Sequence, residues 1–397
     1  MQYVILLLMA FAVPIRWRFG LWMTVLLVPI TVIKILAQPR LGNPVLDRKS
    51  KVALLGPVIY WLMLALSLFW SDNITEGLDI LGLKAVILIF PVCFLVSDTS
   101  YLTESRVRGI GYALISGLIC ISVYFLVFIR ISNRNGVVYD DFHEYFDWVY
   151  HHSYMAMYSV VALVFIYHEL SSHFRELNKW VRLFLALASL MIICCIILVN
   201  SRTGFLVAGI SILVCGFHLI ISHRSWKIGL LACIFVVAAI VAAIILMPGH
   251  ANRFASAKVQ DDPRIQINHA VWTIYQEHPV VGFGIGDYYD RQVAQYEEDG
   301  FGLGVEVGFN AHNQYMETLL SAGIPGLIAL LFFLVTPFAV SIRSRHVFIS
   351  TLLSCIVWLN LILESMLERQ MGLIFIAYLF SLLILLSCSE KMSKEPI

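Results

Sequence analysis

A polar pair, His312–Asn313, stands directly before an apolar run in the stretch FNAHNQYMETLLSAGIPGLI (309–328). Small residues follow at Gly323 and Gly326. A neutral imidazole can take a proton from a hydroxyl group near neutral pH. The pattern therefore makes His312 a candidate general base, with Asn313 as a supporting residue.

Four cationic residues lie in the polar stretches or near the ends of apolar runs. They could bind an anionic group of the substrate on which that base acts. They are Arg202, Arg264, Arg291 and Lys84. Guanidinium groups hold phosphate oxygens with paired hydrogen bonds and keep their charge. Lys84 lies inside an apolar run, where ionisable groups are costly and usually functional. Arginines of this kind can hold a pyrophosphate, although Arg202 could instead be an arginine that extends its charge to the membrane interface.

The combination of a base with fixed cations is typical of one reaction class. That class is the transfer of a group from a lipid pyrophosphate to an acceptor hydroxyl. Three further polar residues, Glu364, Glu368 and Arg369, lie in the segment NLILESMLERQMG (360–372). If the helix continues through this segment, the two carboxylates share one face. They are expected either to orient the imidazole or to pair with Arg369 and close the helix bundle.

Two other polar segments allow more than one interpretation. The loop at 135–152 is acidic, aromatic and rich in His, and its spacing matches no metal-binding template. A metal site, a sugar-binding lip and an interfacial loop with an aromatic belt all stay open for it. The segment 261–290 predicts a short amphipathic helix on the membrane surface, followed by turn glycines and by Asp287 as a helix cap.

The composition indicates which elements must position these residues. Of the 397 residues, 60% are hydrophobic and 13% are charged, whereas soluble domains have about 25% charged residues. The net charge of +1 gives no reason to expect nucleic-acid binding. The eight cysteines lie mostly in apolar runs without a CxxC pair, so we interpret them as buried hydrophobic residues.

Apolar runs of about 20 residues, the length that spans a bilayer, recur along the chain. We predict an all-α polytopic membrane protein with about 12 transmembrane helices, forming a single integral membrane domain over 1–397. The predicted spans lie near 2–15, 19–37, 51–70, 78–97, 107–131, 152–169, 179–199, 203–222, 226–247, 313–342, 347–364 and 370–389. One long polar segment with short helices, 248–312, separates the ninth and tenth spans.

The loop charges predict the orientation. Lys and Arg are concentrated in the loops on the side of the two termini, which is therefore expected to be cytoplasmic. The segment 248–312 then lies outside the membrane, which in the inner membrane of a two-membrane bacterium means the periplasm. His312 and the candidate arginines fall on this periplasmic side.

Several stretches resemble the bacterial O-antigen ligase and O-antigen polymerase superfamily. AHNQYMETLLSAGIPG fits the pattern H-N-x(9)-G-x-x-G of that superfamily, and NSRTGFLVAGISILV is similar to its Ser-Arg helix start. RIQINHAVWTIYQEHPVVGFGIGDYYD resembles the loop of that superfamily that runs from an Arg to a Gly-rich turn. LALSLFWSDNITEGLDILGLKAVILIFPVCF and ESMLERQMG are similar to its flanking segments. The resemblance is close over about 190–330, which we expect to be the O-antigen ligase-like core.

The resemblance implies a membrane glycosyltransferase of the GT-C type. Such an enzyme passes a glycan from undecaprenyl pyrophosphate to an acceptor, without a metal, another cofactor or a nucleotide sugar. His312 matches the base of the superfamily, and Arg202 and Arg264 match its pyrophosphate-binding arginines, whereas Lys84 and Arg291 are assigned by position.

The acceptor stays open at this point. The spacing around His312 favours a ligase that uses lipid A–core in lipopolysaccharide biosynthesis. A polysaccharide polymerase and a protein O-glycosyltransferase share the same chemistry. A transporter of lipid-linked glycans is the alternative outside the enzymes, but no internal repeat supports it.

Overall fold

The computed structural model describes residues 1–37, 42–134, 151–199, 201–223, 234 and 263–392. Within these ranges the chain is predominantly helical, and none of the described residues forms a β-strand. The prediction of an all-α protein is therefore confirmed.

The helices are numbered here in chain order. They are α1 (Gln2–Ala12), α2 (Trp17–Ala37), α3 (Arg48–Leu54), α4 (Gly56–Leu66), α5 (Ile74–Lys84), α6 (Ile89–Val96), α7 (Glu104–Arg134), α8 (His152–Ser172), α9 (Lys179–Val199), α10 (Arg202–His223), α11 (Pro263–Tyr275), α12 (Tyr288–Glu298), α13 (Gly302–Val307), α14 (Gln314–Ser341), α15 (Val347–Leu363) and α16 (Gln370–Met392). Short 3₁₀ turns lie at Ser67–Trp70, Ala85–Leu88 and Met366–Glu368.

The described part of the chain contains nine helical segments that are long and apolar enough to cross a membrane. Two shorter apolar helices, α1 and α15, coincide with two further predicted spans. These segments indicate a multi-pass membrane protein. The predicted span 226–247 lies outside the described residues except for residue 234, so the count of twelve stays a prediction.

The chain divides into two compact units. The first consists of Met1–Met9, Trp17–Gly109 and Val259–Ile397, and it contains His312 with most of the candidate site residues. The second consists of Ala10–Arg16 and Ile110–Lys258, and it contains Arg202. In the second unit α8 is largely buried and packs against both α9 and α10.

Helix α14 is the central element of the first unit. It packs against α4, α15 and α16 and is broken at Gly323, where φ is +61° and ψ is −158°. The turn that precedes α12 approaches this break, because Ile324 N donates to Val280 O (2.9 Å) and Phe283 N donates to Leu320 O (2.7 Å). A Cβ on Gly323 would lie 2.1 Å from Val280 O. The glycine therefore permits direct contact between the two backbones.

The turn at 282–287 contains the predicted turn glycines and is anchored to the segment that follows α4. Gly282 and Gly284 have positive φ, as expected of turn glycines. Ile285 N and Gly286 N donate to the hydroxyl groups of Ser67 and Ser71, both at 3.1 Å. This anchoring fixes the start of α12 relative to α4.

Asp287 does not cap α12, which corrects the prediction. Its carboxylate accepts hydrogen bonds from Asp72 N (2.7 Å) and Asn73 N (2.8 Å), and α12 begins without a side-chain cap. These two amides near the start of α5 lie far away in the sequence. A local capping pattern could not reveal them as competing partners.

Helix α11 confirms the predicted short helix, but its surroundings differ from the prediction. Ile267, Val271 and Ile274 are buried, and the helix packs against α12 and α14. The face formed by these three residues is therefore covered by protein, whereas Ile265 and Trp272 are exposed. An apolar stripe has the same sequence pattern whether protein or lipid covers it.

Candidate active site

His312 lies at a sharp turn immediately before α14. Its φ is +45°, a left-handed conformation that costs a residue with a Cβ about 1–2 kcal/mol. His312 N donates to Asn310 Oδ1 at 3.1 Å. Asn313 then caps α14, because its Oδ1 accepts from Tyr315 N (3.0 Å) and Met316 N (3.2 Å). Strained backbone of this kind is concentrated at functional sites.

The imidazole of His312 contacts a buried carboxylate. His312 Nδ1 lies 3.0 Å from Glu364 Oε2, and the side chain of Glu364 is only 8% exposed. A carboxylate accepts the Nδ1 proton, which leaves Nε2 as the acceptor atom of the neutral ring. The His312 side chain is 26% exposed, so a substrate can reach it.

Glu364 also holds Arg264. Its second oxygen, Oε1, accepts a hydrogen bond from Arg264 Nη2 at 3.0 Å. The Arg264 side chain is 42% exposed. Glu364 therefore connects the candidate base to a candidate pyrophosphate-binding cation, and the exposed part of the guanidinium can meet an anion.

Glu364 and Glu368 do not share a helical face, in contrast to the prediction. Helix α15 ends at Leu363, Glu364 is extended (φ −154°, ψ 146°), and a 3₁₀ turn follows. The amide of Leu367 donates to Gln314 Oε1 (2.6 Å) instead of to a carbonyl of its own helix. The two carboxylates consequently have different partners, and Glu364 is the one that contacts the base.

Glu368 belongs to a separate buried group. Its Oε1 accepts from Lys84 Nζ (2.5 Å) and from Gln314 Nε2 (2.9 Å), and its Oε2 accepts from the Tyr288 hydroxyl (3.3 Å). Burial, together with the Glu368 carboxylate, raises the pKa of Tyr288 well above its usual value, so this tyrosine stays a donor. Lys84 also donates to Leu367 O at 3.1 Å. Its ammonium group therefore stabilises the 3₁₀ turn that follows Glu364.

Arg291 and Arg369 have different surroundings. Arg291 binds Glu277 (2.5 Å) and Glu298 (3.2 Å), and the hydrogen bond with Glu277 raises its pKa. Arg369 is exposed, and within the described part of the chain its side chain forms neither a hydrogen bond nor an ion pair. The alternative in which an Arg369–Glu pair closes the bundle is therefore wrong. The Glu368 carboxylate instead accepts hydrogen bonds from Lys84, Gln314 and Tyr288.

In the second unit, Arg202 is the first residue of α10, and its side chain is exposed. The hydroxyl of Ser201 caps the helix by accepting from Gly204 N at 3.1 Å. This amide is therefore already satisfied.

The acidic loop at 135–152 lies outside the described residues except for its last two. His151 and His152 stand at the start of α8, with their rings stacked at 4.5 Å. The metal, sugar-lip and interfacial interpretations of this loop stay open.

Sequence reasoning missed several residues near His312. Glu317 is 2% exposed, and its Oε2 accepts from Ala311 N (2.9 Å) and from the Ser365 hydroxyl (3.0 Å). Gln314 connects α14 to the 3₁₀ turn, as described above. An acidic residue within an apolar run was the available signal for Glu317, by the same argument that identified Lys84. No comparable signal identifies Ser365 or Gln314.

Comparisons with known proteins show a family to which part of the chain is similar. No curated protein matches the chain. Residues 186–331 match the model of a family described as O-antigen ligase. The matched range contains Arg202, Arg264, Arg291 and His312, and it ends before Glu364. Members of this family are membrane glycosyltransferase-like enzymes, either ligases or polymerases. The match confirms the resemblance seen in the sequence: over residues 186–331 the chain is similar to the O-antigen ligase family of the O-antigen ligase and polymerase superfamily.

Proposed function

We propose that this protein is an O-antigen ligase-type glycosyltransferase. It moves a glycan from undecaprenyl pyrophosphate to a hydroxyl group of lipid A–core at the periplasmic face of the bacterial inner membrane. The observation that carries the proposal is the Arg264–Glu364–His312 arrangement. One buried carboxylate contacts a candidate base through one oxygen and an exposed cation through the other.

In the proposed reaction, the acceptor oxygen attacks the anomeric carbon of the donor from the face opposite the pyrophosphate. The new C–O bond forms as the bond to the pyrophosphate breaks, so the anomeric configuration inverts. His312 Nε2 takes the proton of the acceptor hydroxyl. The Glu364 carboxylate stabilises the resulting imidazolium, and undecaprenyl pyrophosphate leaves with the electron pair of the broken bond.

The leaving group is already anionic, so it requires charge neutralisation more than protonation. Preorganised cations in a partly dry site provide this stabilisation. We assign the role to Arg264, whose side chain is 42% exposed. The same role for Arg202, which belongs to the second unit, stays a prediction from the sequence. Lys84 and Arg291 are bound to carboxylates. For each of them, direct contact with the pyrophosphate requires an exchange of partners and stays a prediction.

The same chemistry serves an O-antigen polymerase or a protein O-glycosyltransferase. The family match supports the polymerase as second candidate, because the family includes ligases and polymerases. The acceptor distinguishes the three enzymes. It is a core sugar for a ligase, a second lipid-linked repeat for a polymerase, and a side-chain hydroxyl for a protein glycosyltransferase.

Complementation tests the acceptor and the base together. A ligase-deleted Gram-negative host that supplies a compatible glycan would receive the wild type, His312→Ala, Arg202→Ala or a control. The control is His269→Ala, an exposed histidine on α11 that contacts Asp299. We expect the wild type and the control to restore long-chain lipopolysaccharide on a gel, and the other two variants to fail.

Other outcomes would change the assignment. Restoration only in a polymerase-deleted host would move the protein to the polymerase class with the same mechanism. Loss of a general base typically costs about 10²–10⁴ in rate. Activity of His312→Ala within about threefold of the wild type would therefore eliminate His312 as the base. Purified protein that transfers no glycan in detergent, but moves the donor across vesicles, would indicate a transporter.

A further inference from the structure

Glu317 is a buried carboxylate that the proposed transfer does not use. It lies in the first turn of α14, where its Oε2 accepts from Ala311 N (2.9 Å) and from Ser365 Oγ (3.0 Å). A buried carboxylate is retained only where its hydrogen bonds offset the loss of water. Both partners of Oε2 are adjacent in sequence to residues of the candidate site.

Ser365 extends this connection. Its hydroxyl donates to Glu317 and accepts from Asn313 N at 3.1 Å. The Glu317 carboxylate and the Ser365 hydroxyl, which we call the 317–365 bridge, therefore bind the backbone amides on both sides of His312. Ser365 also directly follows Glu364, the carboxylate that contacts the imidazole.

We propose that Glu317 and Ser365 are positioning residues of the transferase. The 317–365 bridge holds His312 in its left-handed conformation and keeps the imidazole against Glu364. This inference rests on the proposed role of His312 as the base. Neither Glu317 nor Ser365 is assigned a contact with the donor or the acceptor.

The backbone at His312 explains why a bridge is needed. A φ of +45° is unfavourable for a residue with a Cβ, so without restraint the chain would relax toward negative φ. That rotation would redirect the imidazole away from Glu364. Misplacement of a catalytic group by about 1 Å can cost about 10²-fold in rate.

Two substitutions at Glu317 separate geometry from charge. Glu317→Gln keeps a carbonyl oxygen with two lone pairs, which can accept from both Ala311 N and Ser365 Oγ. Glu317→Ala removes both contacts. Ser365→Ala removes only the second half of the bridge. Ser321→Ala is the matched control, because this buried hydroxyl of α14 bonds to Thr318 O in its own helix.

The kinetic test uses purified full-length protein in detergent, a lipid-linked glycan donor and a core-sugar acceptor. We expect kcat to fall by at least about tenfold in Glu317→Ala and Ser365→Ala, with the donor KM within about twofold of wild type. Glu317→Gln and the control should retain kcat within about threefold. A kcat near wild type in Ser365→Ala and Glu317→Ala would overturn the proposal, and so would a Glu317→Gln variant as slow as Glu317→Ala.

A second measurement does not depend on transfer activity. Diethylpyrocarbonate modifies accessible imidazole nitrogens, and peptide mass spectrometry compares its rate at His312 with that at exposed His269 in the same sample. We expect His312 to react several-fold faster in Glu317→Ala and Ser365→Ala and at the wild-type rate in Glu317→Gln. Unchanged labelling in both Ala variants would refute positioning by the bridge.

The two measurements separate the two proposals. If His312 is labelled faster in the Ala variants but the wild-type protein transfers no glycan to any acceptor, the proposed function is refuted and the role of the bridge is supported. If Glu317→Ala elutes as an aggregate in detergent, the milder Ser365→Ala variant decides the outcome. Normal transfer with normal labelling in that variant would reduce the bridge to a fold-stabilising contact.

Discussion

Replacement of Glu364 by Gln tests the central contact of the site. Glu364 Oε2 lies 3.0 Å from His312 Nδ1, and Oε1 accepts from Arg264 at 3.0 Å. Gln has nearly the same shape and can still accept one hydrogen bond, but it carries no charge. The substitution therefore removes the electrostatic stabilisation of the imidazolium that forms as His312 takes the acceptor proton.

The magnitude follows from the distance and the surroundings. Two unit charges 3.0 Å apart interact by about 5 kcal/mol at an effective dielectric constant of about 20. Arg264 on the other oxygen offsets part of this attraction, and the His312 side chain is 26% exposed. We take about half of this interaction energy, or about 2–3 kcal/mol, as the transition-state stabilisation that Glu364→Gln removes. Since about 1.4 kcal/mol is tenfold in rate, kcat should fall about 10²-fold.

The assay is glycan transfer in detergent at saturating donor, with Glu277→Gln as the control. This control makes the same chemical change on a carboxylate that binds Arg291 and does not contact His312. We expect the control to stay within about threefold of wild type. If Glu364→Gln also stays within that range while His312→Ala is inactive, Glu364 does not stabilise the imidazolium, and the electrostatic reasoning fails.

Three further predictions concern the cations and the break in α14. Arg264→Lys keeps the charge but loses the planar fork, so we expect the donor KM to rise about tenfold in the same assay; an unchanged donor KM would remove Arg264 from the pyrophosphate site. Lys84→Met leaves the Glu368 carboxylate without its cation and should lower the free energy of unfolding by about 3–5 kcal/mol, whereas Lys84→Met combined with Glu368→Gln should recover part of it. Thermal unfolding in detergent measures this loss, and a normal Tm with a raised donor KM would favour the pyrophosphate role of Lys84 instead. Gly323→Ala should prevent accumulation of folded protein in the membrane because of its φ of +61°, whereas Gly209→Ala, which has open space around its Cβ position, should accumulate normally.

The length of the apolar runs was sufficient to predict most of the helical spans. A run of about 20 apolar residues has few structural alternatives in a membrane protein. The described helices therefore coincide closely with most of the predicted spans, as α9 (Lys179–Val199) does with 179–199. The short helix at 263–275 was also predicted from its periodicity. Its burial was not, because periodicity does not identify what covers an apolar face.

The candidate site was only partly accessible from sequence. His312, Arg264 and Glu364 could be selected by residue type, but their contacts depend on the extended backbone at Glu364. The sequence pattern favours a continuous helix there, and Gln314, about fifty residues earlier, supplies the competing acceptor for Leu367 N. Interactions between residues so far apart leave no periodic signal in a single sequence.

Glu364 and Glu368, two carboxylates with little exposure, have different partners. Glu368 is paired with Lys84, which is itself buried, and this pairing stabilises the 3₁₀ turn through contacts that do not include His312. Glu364 instead contacts two side chains that are partly exposed, His312 and Arg264. A largely buried ion pair such as Lys84–Glu368 has little capacity to respond to a substrate, because separating its partners leaves uncompensated charges. A carboxylate whose partners reach the exterior can respond when an anion draws the arginine. For this reason we assign the chemistry to Glu364 and the support of its turn to Glu368.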